Sequence, residues 1–198
     1  MHKIILTDID GVVLDWQTHF NDYLDKYYPG QELFDPTVFA QGEETGKIIR
    51  EFNNTAWIGF LKPWKDSVEV LTEFKENGWH IFGCTSMGTD QYANSLRKKN
   101  IENLMPDVFA RVDIIPFMEP KGHWLSQWRG SGAIWVEDKW SNAILGADMG
   151  IRTFLMKQSY NSNHDYKGVE KIDNWRQIYN KVTQWNTKYG TFQEYMMN

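Results

Sequence analysis

Residues 3–11 read Lys3-Ile4-Ile5-Leu6-Thr7-Asp8-Ile9-Asp10-Gly11, an apolar run followed by two carboxylates and a glycine. The apolar run is typical of a short buried strand. Residues two positions apart on an extended chain point to the same side, so Asp8 and Asp10 are expected to converge where the strand ends. Gly11 allows a sharp turn there. The two carboxylates repel each other unless a cation lies between them, and the alternative is an acidic turn that binds nothing.

Composition favours one soluble domain, or one domain with a modest insert. The chain has 198 residues, of which 41% are hydrophobic, and this is enough for a core. No apolar run reaches the roughly 18 residues of a membrane span, and no signal peptide precedes the first strand, so we expect a cytoplasmic protein. The net charge of -5 argues against duplex nucleic acid as a partner, though not against a single nucleotide. A homodimer is left open.

Strands and helices alternate in the second part of the chain. The predicted strands lie at about residues 4–6, 79–84, 112–116, 133–136 and 152–156, and the predicted helices at about 63–76, 90–99, 121–128, 140–149 and 174–188. Such alternation is typical of an α/β fold, with a parallel sheet covered by helices on both faces.

Residues 16–62 lack this alternation. Aromatic residues between positions 20 and 28 recur at spacings of three and four, which is typical of a helix. Further short helices are predicted from Asp35-Pro36 and over residues 46–52. We therefore expect a small, mostly helical cap at 16–62, inserted after the first strand into an α/β core formed by 1–15 and 63–198. The alternative is that these helices belong to the core itself.

Polar side chains follow three of the predicted strands, and one lysine begins a helix between the last two. These residues are Asp8, Asp10, Thr85, Ser86, Lys121, Glu137 and Asp138. Because the carboxyl ends of parallel strands share one edge of a sheet, these groups are expected to meet. Carboxylates suit Mg²⁺, and hydroxyls with an ammonium suit phosphate. A Thr-Ser pair can also simply cap a helix, and Lys139 competes with Lys121 for the lysine role.

The order and placement of these residues resemble the four motifs of the haloacid dehalogenase superfamily. The motifs are Asp8-Ile9-Asp10-Gly11, Thr85, Lys121 and Glu137-Asp138. The resemblance implies a Rossmann-like core and a Mg²⁺-dependent phosphomonoester hydrolase that acts on a small phosphorylated substrate. The dehalogenases proper lack the second aspartate of the first motif, so Asp10 points to phosphate chemistry.

The chain also resembles the 5'(3')-deoxyribonucleotidase family. The similar stretches are residues 8–16, residues 57–63, Cys84-Thr85-Ser86, Tyr160-Asn161 and Ile172-Asp173-Asn174-Trp175. This resemblance implies a deoxynucleoside monophosphate as substrate. The chain departs from the family at Glu137-Asp138-Lys139, where Asp-Asp-Arg is common, and at Gly122-His123-Trp124.

The superfamily resemblance also assigns roles. Asp8 is implied as the nucleophile and Asp10 as the general acid and base. Asp8, Asp138 and the Asp10 main-chain carbonyl are implied as metal ligands. Thr85, Ser86 and Lys121 are implied to bind phosphate. Glu137 is expected to be either a further metal ligand or a group that orients a metal-bound water. Asn142 is expected to support Asp138 from one helical turn beyond it.

Four aromatic residues are candidates for a substrate pocket, namely Trp16, Trp57, Phe60 and Trp64. A nucleobase can stack on any of them, and the alternative is packing within the cap and core. Other functions remain open at this stage. They are a sugar-phosphate phosphatase, a polynucleotide 3'-phosphatase, a phosphotransferase and a non-catalytic nucleotide-binding protein.

Overall fold

The computed structural model describes residues 3–29, 43–117, 119–161, 163 and 165–188. Its six strands are β1 Ile4–Thr7, β2 His80–Met87, β3 Phe109–Pro116, β4 Ile134–Glu137, β5 Arg152–Met156 and β6 Val169–Ile172. All neighbouring strands pair in parallel, in the order β3-β2-β1-β4-β5-β6. The strand order reverses between β1 and β4, and such a point opens a crevice for ligands at the carboxyl ends of the strands. The predicted α/β fold is confirmed.

Helices cover both faces of this sheet. The α-helices are α1 Trp16–Tyr27, α2 Glu43–Asn53, α3 Ser67–Glu76, α4 Gln91–Leu104, α5 Gly122–Ser126, α6 Trp140–Asp148 and α7 Trp175–Lys188, with 3₁₀ turns at Ala56–Gly59 and Ser159–Asn161. Adjacent residues of β1 serve the two faces. Ile5 packs into a large apolar cluster with α3, α4 and α7, whereas Leu6 joins a smaller one with α5 and α6. None of the described helices has the length and apolar character needed to cross a membrane.

Several predicted boundaries were wrong. Strand β2 continues to Met87, because its pairing with β3 persists through Thr85 and Ser86. The helix predicted from Pro63 begins only at Ser67, since Pro63 pairs with Leu14 in an isolated bridge.

Two further predictions failed near charged residues. Helix α4 does not end at residue 99 but runs to Leu104, because the buried positions Asn100 and Ile101 extend its packed face. Strand β6 was missed, because its sequence Val-Glu-Lys-Ile is half charged, as suits an edge strand. In both places the charged residues obscured the apolar pattern from which the helix or strand would have been predicted.

The insert leaves and re-enters the sheet at one point. The Asp15 N–H donates to the Lys62 carbonyl at 2.8 Å, and the Trp64 N–H donates to the Val13 carbonyl at 2.8 Å. Between these contacts the described residues are mainly helical. This pairing supports a cap that comprises residues 16–62, which we retain as a proposal. The helix start predicted at Asp35-Pro36 lies outside the described residues.

Residues 56–61 of the insert pack on helix α4. The 3₁₀ turn at Ala56–Gly59 packs so closely there that a Cβ atom on Gly59 would lie 3.2 Å from the Leu96 Cβ. The Asn100 side-chain amide, on the same helix, donates to the Leu61 carbonyl at 3.1 Å. Helix α4 therefore supports the returning end of the insert.

Candidate active site

Asp8 and Lys121 form a buried ion pair at the reversal point of the sheet. The Asp8 N–H donates to the Val136 carbonyl at 2.9 Å, which fixes the residue between β1 and β4. The Lys121 Nζ lies 2.6 Å from Asp8 Oδ2 and 3.0 Å from Glu137 Oε2. Lys121 begins α5 with only 1% of its surface exposed. The lysine thus meets the predicted nucleophile directly, as the motif order led us to expect.

Lys139 has no comparable place in the site. It lies on the protein surface, just before α6. Its contact with the site is made by its backbone, whose N–H donates to Glu137 Oε1 at 2.9 Å. The geometry therefore places Lys121, and not the Lys139 side chain, beside Asp8.

Three buried carboxylates lie together around Lys121. One oxygen atom from each of Asp8, Glu137 and Asp138 falls within 4.8 Å of the others. Burial, reinforced by the charge of Glu137, raises the pKa of Asp8. Burial likewise raises the pKa of Glu137. Burial alone would lower the pKa of Lys121, but the negative charges of Asp8 and Glu137 raise it by more than burial lowers it. The net pKa is therefore raised, and the ammonium stays charged.

The charge of this cluster fits a bound divalent cation. Three carboxylates face one ammonium, so the negative charge is incompletely balanced, and hard oxygen ligands are those that Mg²⁺ prefers. Asp8 and Asp138 can supply such oxygens. Glu137 already accepts bonds from Lys121 and from two backbone N–H groups, which suits a supporting role. The Asp10 side chain lies outside the cluster, and coordination through its main-chain carbonyl stays a prediction.

We expect the Asp138→Asn substitution to make the metal-free protein less sensitive to pH. Burial, followed by the charge of Asp8, raises the pKa of Asp138 from 3.8 to about 6. Because the pKa of Asp138 is higher in the folded state than in the unfolded state, protonation of its carboxyl group favours folding. This stabilisation is complete below the unfolded-state pKa and is lost as the pH rises through about 6. Since one pKa unit corresponds to about 1.4 kcal/mol, the wild type should lose about 2 kcal/mol more than the variant between about pH 4 and 7. Urea unfolding in EDTA measures this, and identical pH profiles would contradict it.

Asp10 is held by two donors from different elements. The Thr85 hydroxyl donates to Asp10 Oδ2 at 3.0 Å, and the Arg97 guanidinium pairs with Asp10 Oδ1. Ser86 is the next residue of β2, so its side chain points to the opposite face, and it is partly exposed. The structure therefore brings Thr85, rather than Ser86, against Asp10. Phosphate binding by either residue stays a prediction.

Arg97 is the main residue of the site that sequence reasoning missed. It lies in the charged run Arg97-Lys98-Lys99, at the end of the helix predicted at about 90–99, whereas α4 continues to Leu104. The side chain is fully buried, and among the described residues its Nε and Nη2 atoms have no hydrogen-bond partner. The available signal was its spacing of four residues from both Ala93 and Ile101, which places it on the packed face of α4.

A short segment after β5 also contacts the site. The Gln158 side-chain amide donates to the Gly11 carbonyl at 2.7 Å, and the Tyr160 hydroxyl donates to Asp138 Oδ2. The Asn161 side-chain amide donates to the Asp138 carbonyl at 2.7 Å. The sequence marked Tyr160-Asn161 only as part of a family resemblance, with no role attached.

Gly11 permits the close approach between the first motif and Asp138. Its φ is +74°, which disfavours other residues, and a Cβ atom at this position would lie 2.2 Å from Asp138 Oδ2.

Asn142 is buried one helical turn beyond Asp138, and its backbone carbonyl accepts a bond from the Trp135 indole at 3.3 Å. Support of Asp138 by the Asn142 side chain stays a prediction.

The four aromatic pocket candidates occupy different environments. The Trp16 indole donates to Asn53 Oδ1 at 2.9 Å, and its ring stacks on Phe20 with centroids 4.6 Å apart. Trp57 and Trp64 both pack against the large apolar cluster. Phe60 is 74% exposed. Packing therefore accounts for much of the surface of the tryptophans, and a substrate-binding role for all four stays a prediction.

We expect Cys84 to be unreactive in the native protein. Its side chain is buried in the smaller apolar cluster, and burial raises the pKa of the thiol to about 12. Since the thiolate is the reactive form, a disulfide reagent at about pH 8 should label the chain only after denaturation. Because this is the only cysteine, labelling is read as a single equivalent. Rapid labelling of the native protein would instead indicate an accessible thiol.

Comparisons with known sequences give a limited result. No protein-family model matches the chain. One curated relative is the uncharacterized 32.4 kDa protein in the Gp30-rIII intergenic region of Enterobacteria phage T4. It is 32% identical over 124 residues, which cover 57% of this chain and 44% of the relative. The matched region is thus less than half of that relative.

Comparisons with solved structures are more extensive. An L-2-haloacid dehalogenase from Xanthobacter autotrophicus, with chloropropionic acid covalently bound, superposes with a TM-score of 0.65 at 11% identity, over 92% of this chain and 99% of its own. The chain has the haloacid dehalogenase fold. D,D-heptose 1,7-bisphosphate phosphatase from Burkholderia thailandensis shares this fold, with a TM-score of 0.58 at 12% identity over 91% and 98% of the two chains.

A further structure with the haloacid dehalogenase fold is CbbY from Rhodobacter sphaeroides, in complex with phosphate. It superposes with a TM-score of 0.60 at 12% identity, over 90% of this chain and 96% of its own. Both dehalogenases and phosphatases therefore use this fold. The choice between these chemistries has to come from the side chains of the site.

Proposed function

We propose that this protein is a Mg²⁺-dependent phosphomonoester hydrolase that works through an aspartyl-phosphate on Asp8. The observation that carries the proposal is the buried contact of 2.6 Å between Asp8 and Lys121, with Asp10 two residues away and held separately. This arrangement supplies a nucleophile, a cation for the transferred group and a second carboxylate for proton transfer.

The reaction has two displacements. In the first, an Asp8 oxygen bonds to phosphorus as the bond from phosphorus to the leaving oxygen breaks, and Asp10 gives that oxygen a proton. In the second, Asp10 takes a proton from water, the water oxygen bonds to phosphorus, and the bond to Asp8 breaks to release phosphate. Lys121 stabilises the negative charge on the phosphoryl oxygens in both displacements.

The metal would be held by Asp8, Asp138 and the Asp10 main-chain carbonyl. When bound, Mg²⁺ supplies positive charge that offsets the repulsion between the carboxylates and the phosphate. The hydroxyls of Thr85 and Ser86 would bind phosphate oxygens. Thr85 donates to Asp10 in the described structure, so binding of phosphate by its hydroxyl requires that this bond be exchanged.

Phosphate chemistry is favoured over dehalogenation by Asp10. Dehalogenation needs no proton on a leaving alcohol, whereas phosphomonoester hydrolysis does. Here two residues hold the Asp10 carboxylate in place, namely Thr85 through its hydroxyl and the fully buried Arg97 through its guanidinium.

For the substrate, we propose a deoxynucleoside monophosphate, and a sugar phosphate is the second candidate. The nucleotide is supported by the motif resemblance and by the aromatic residues of the proposed cap. The sugar phosphate is supported by the shared fold with a heptose bisphosphate phosphatase. Both are small anionic phosphomonoesters that a site with one buried lysine and Mg²⁺ would accept.

A substrate panel tests the proposal. Phosphate release is measured with 5'- and 3'-deoxynucleoside monophosphates, ribonucleotides and sugar phosphates, and chloride release with 2-chloropropionate, each with Mg²⁺ and with EDTA. We expect Mg²⁺-dependent phosphate release with highest kcat/KM for deoxynucleotides. Turnover of sugar phosphates alone would replace the substrate assignment. Chloride release without phosphate release would overturn the proposed chemistry.

A further inference from the structure

The segment Gln158–Asn161 lies outside the motifs that define the proposed reaction, yet it bonds to two of them. Gln158 binds the Gly11 carbonyl, Tyr160 binds the Asp138 carboxylate, and Asn161 binds the Asp138 carbonyl. We call the segment of residues 158–161 the β5 clamp. The clamp is itself closed, because the Gln158 N–H donates to Asn161 Oδ1 at 3.0 Å.

The clamp contacts Asp138 at its backbone carbonyl and at its side-chain carboxylate. The Asn161 amide bridges the Asp138 carbonyl and the Met156 carbonyl, at 2.7 and 2.9 Å, so the backbone of Asp138 is tied to the end of β5. The Tyr160 hydroxyl then restrains the carboxylate. This hydroxyl oxygen would lie 3.3 Å from a Cβ atom on Gly11, so it lies beside the first-motif turn.

We propose that Tyr160 is a positioning residue that holds Asp138 in the orientation required for metal binding. The inference rests on the proposed function only in that it takes Asp138 as a metal ligand. A buried carboxylate beside Asp8 and Glu137 is repelled from the place where the three oxygens converge. The Tyr160 O–H opposes this repulsion by a directed bond to one carboxylate oxygen. A neutral donor does so without adding the positive charge that would compete with a cation.

The opposite role makes the opposite prediction. If Tyr160 merely occupied a carboxylate oxygen that the cation needs, removal of its hydroxyl would free a ligand and tighten metal binding. If the bond served folding alone, removal would lower thermal stability and leave metal affinity unchanged. Only positioning predicts weaker metal binding by a protein that remains folded.

The test is the Tyr160→Phe substitution, which removes one hydroxyl and keeps the ring. We measure Mg²⁺ binding to the full chain by titration calorimetry, and Mn²⁺ binding by the loss of its free electron-paramagnetic-resonance signal. The Kd for both ions should rise about 10- to 100-fold, which is the usual effect of losing an outer hydrogen bond to a metal ligand. Circular dichroism and a thermal melt in EDTA verify that the variant is folded.

The matched control is Tyr166→Phe. Tyr166 also donates from its hydroxyl to an aspartate, Asp148, at 2.7 Å, but it is exposed and lies outside the carboxylate cluster. Its removal should leave the Kd unchanged. An unchanged or lower Kd in Tyr160→Phe overturns the positioning role.

The same titrations distinguish this inference from the proposed reaction. If the wild type binds Mg²⁺ and Tyr160→Phe weakens binding, but no phosphomonoester is hydrolysed, the positioning role stands and the proposed reaction fails. If the wild type itself binds neither Mg²⁺ nor Mn²⁺, both the metal site and the role of Tyr160 are overturned.

Discussion

The Asp8→Asn substitution is expected to abolish phosphate release while the protein stays folded. An amide cannot form the bond to phosphorus, and loss of a covalent nucleophile costs on the order of 10⁶-fold in kcat. Burial and Glu137 raise the pKa of Asp8, so the folded protein resists the charge that the reaction requires. In EDTA the amide should therefore raise the melting temperature, because it removes one of three buried carboxylates that share a single ammonium, while Lys121 keeps its ion pair with Glu137.

Two measurements check this outcome. Phosphate release is followed with the best substrate of the panel, and the melting temperature is measured in EDTA and in Mg²⁺. The control is Asp25→Asn, the same chemical change on the exposed surface of α1, which should alter neither quantity. Undiminished activity of Asp8→Asn would sink the proposed mechanism. A large loss of stability in EDTA would contradict the charge argument.

Lys121→Met is expected to impair both activity and stability. The substitution leaves Asp8 and Glu137 buried without their shared cation, and removal of one partner from a buried ion pair typically costs about 3–5 kcal/mol. It also removes a charge that stabilises the transferred phosphoryl group, and a loss of about 10²- to 10³-fold in kcat is usual for one such donor. Stability is measured by urea unfolding, and kcat by steady-state phosphate release.

Lys139→Met is the matched control for this prediction. It removes the same functional group eighteen residues further along, from an exposed position beside the same cluster. Activity and stability should stay within about twofold and about 0.5 kcal/mol of wild type, as for ordinary surface substitutions. If Lys139→Met were the damaging change and Lys121→Met the mild one, the assignment of the motif lysine would be reversed.

The sequence predicted those parts of the site that lie at or just after the carboxyl ends of strands. Asp8 and Asp138 follow β1 and β4, whereas Thr85 and Glu137 are residues of β2 and β4 themselves. All four are recognisable because an apolar run gives way to polar residues, and parallel topology then places them at one edge of the sheet. Lys121 was reachable because it opens the helix between the right two strands. These inferences depend only on the local pattern and on the order of elements, and both are written along the chain.

Arg97 and Tyr160 were not reachable in this way. Arg97 lies in a charged run of the sequence. Its burial depends on contact with Asp10, in the turn after β1, which is 87 residues away in the sequence. The bond from Tyr160 to Asp138 depends on the path of the chain after β5, which no periodicity specifies. Residues that support the reacting groups are placed by tertiary contacts, so their roles emerge only once the fold is known.

The aromatic residues show a further limit of sequence reasoning. Trp16 stands six residues after Asp10 and is one of the four aromatic candidates for a substrate pocket. In the structure its ring stacks on Phe20 and its indole N–H is bound to Asn53. Proximity along the chain did not determine which face of the ring stays available, because that depends on how α1 and α2 pack together.

Helix α4 carries two adjacent residues with different tasks. Leu96 lies against Gly59 of the insert, and Arg97 grips the Asp10 carboxylate. The position of the insert and the orientation of the Asp10 side chain therefore both depend on the position of helix α4. A substitution such as Gly59→Ala would press on Leu96 and thereby displace the neighbouring Arg97, which is paired with Asp10. Sequence changes in the insert are thus constrained by the geometry of a carboxylate that the insert itself does not contain.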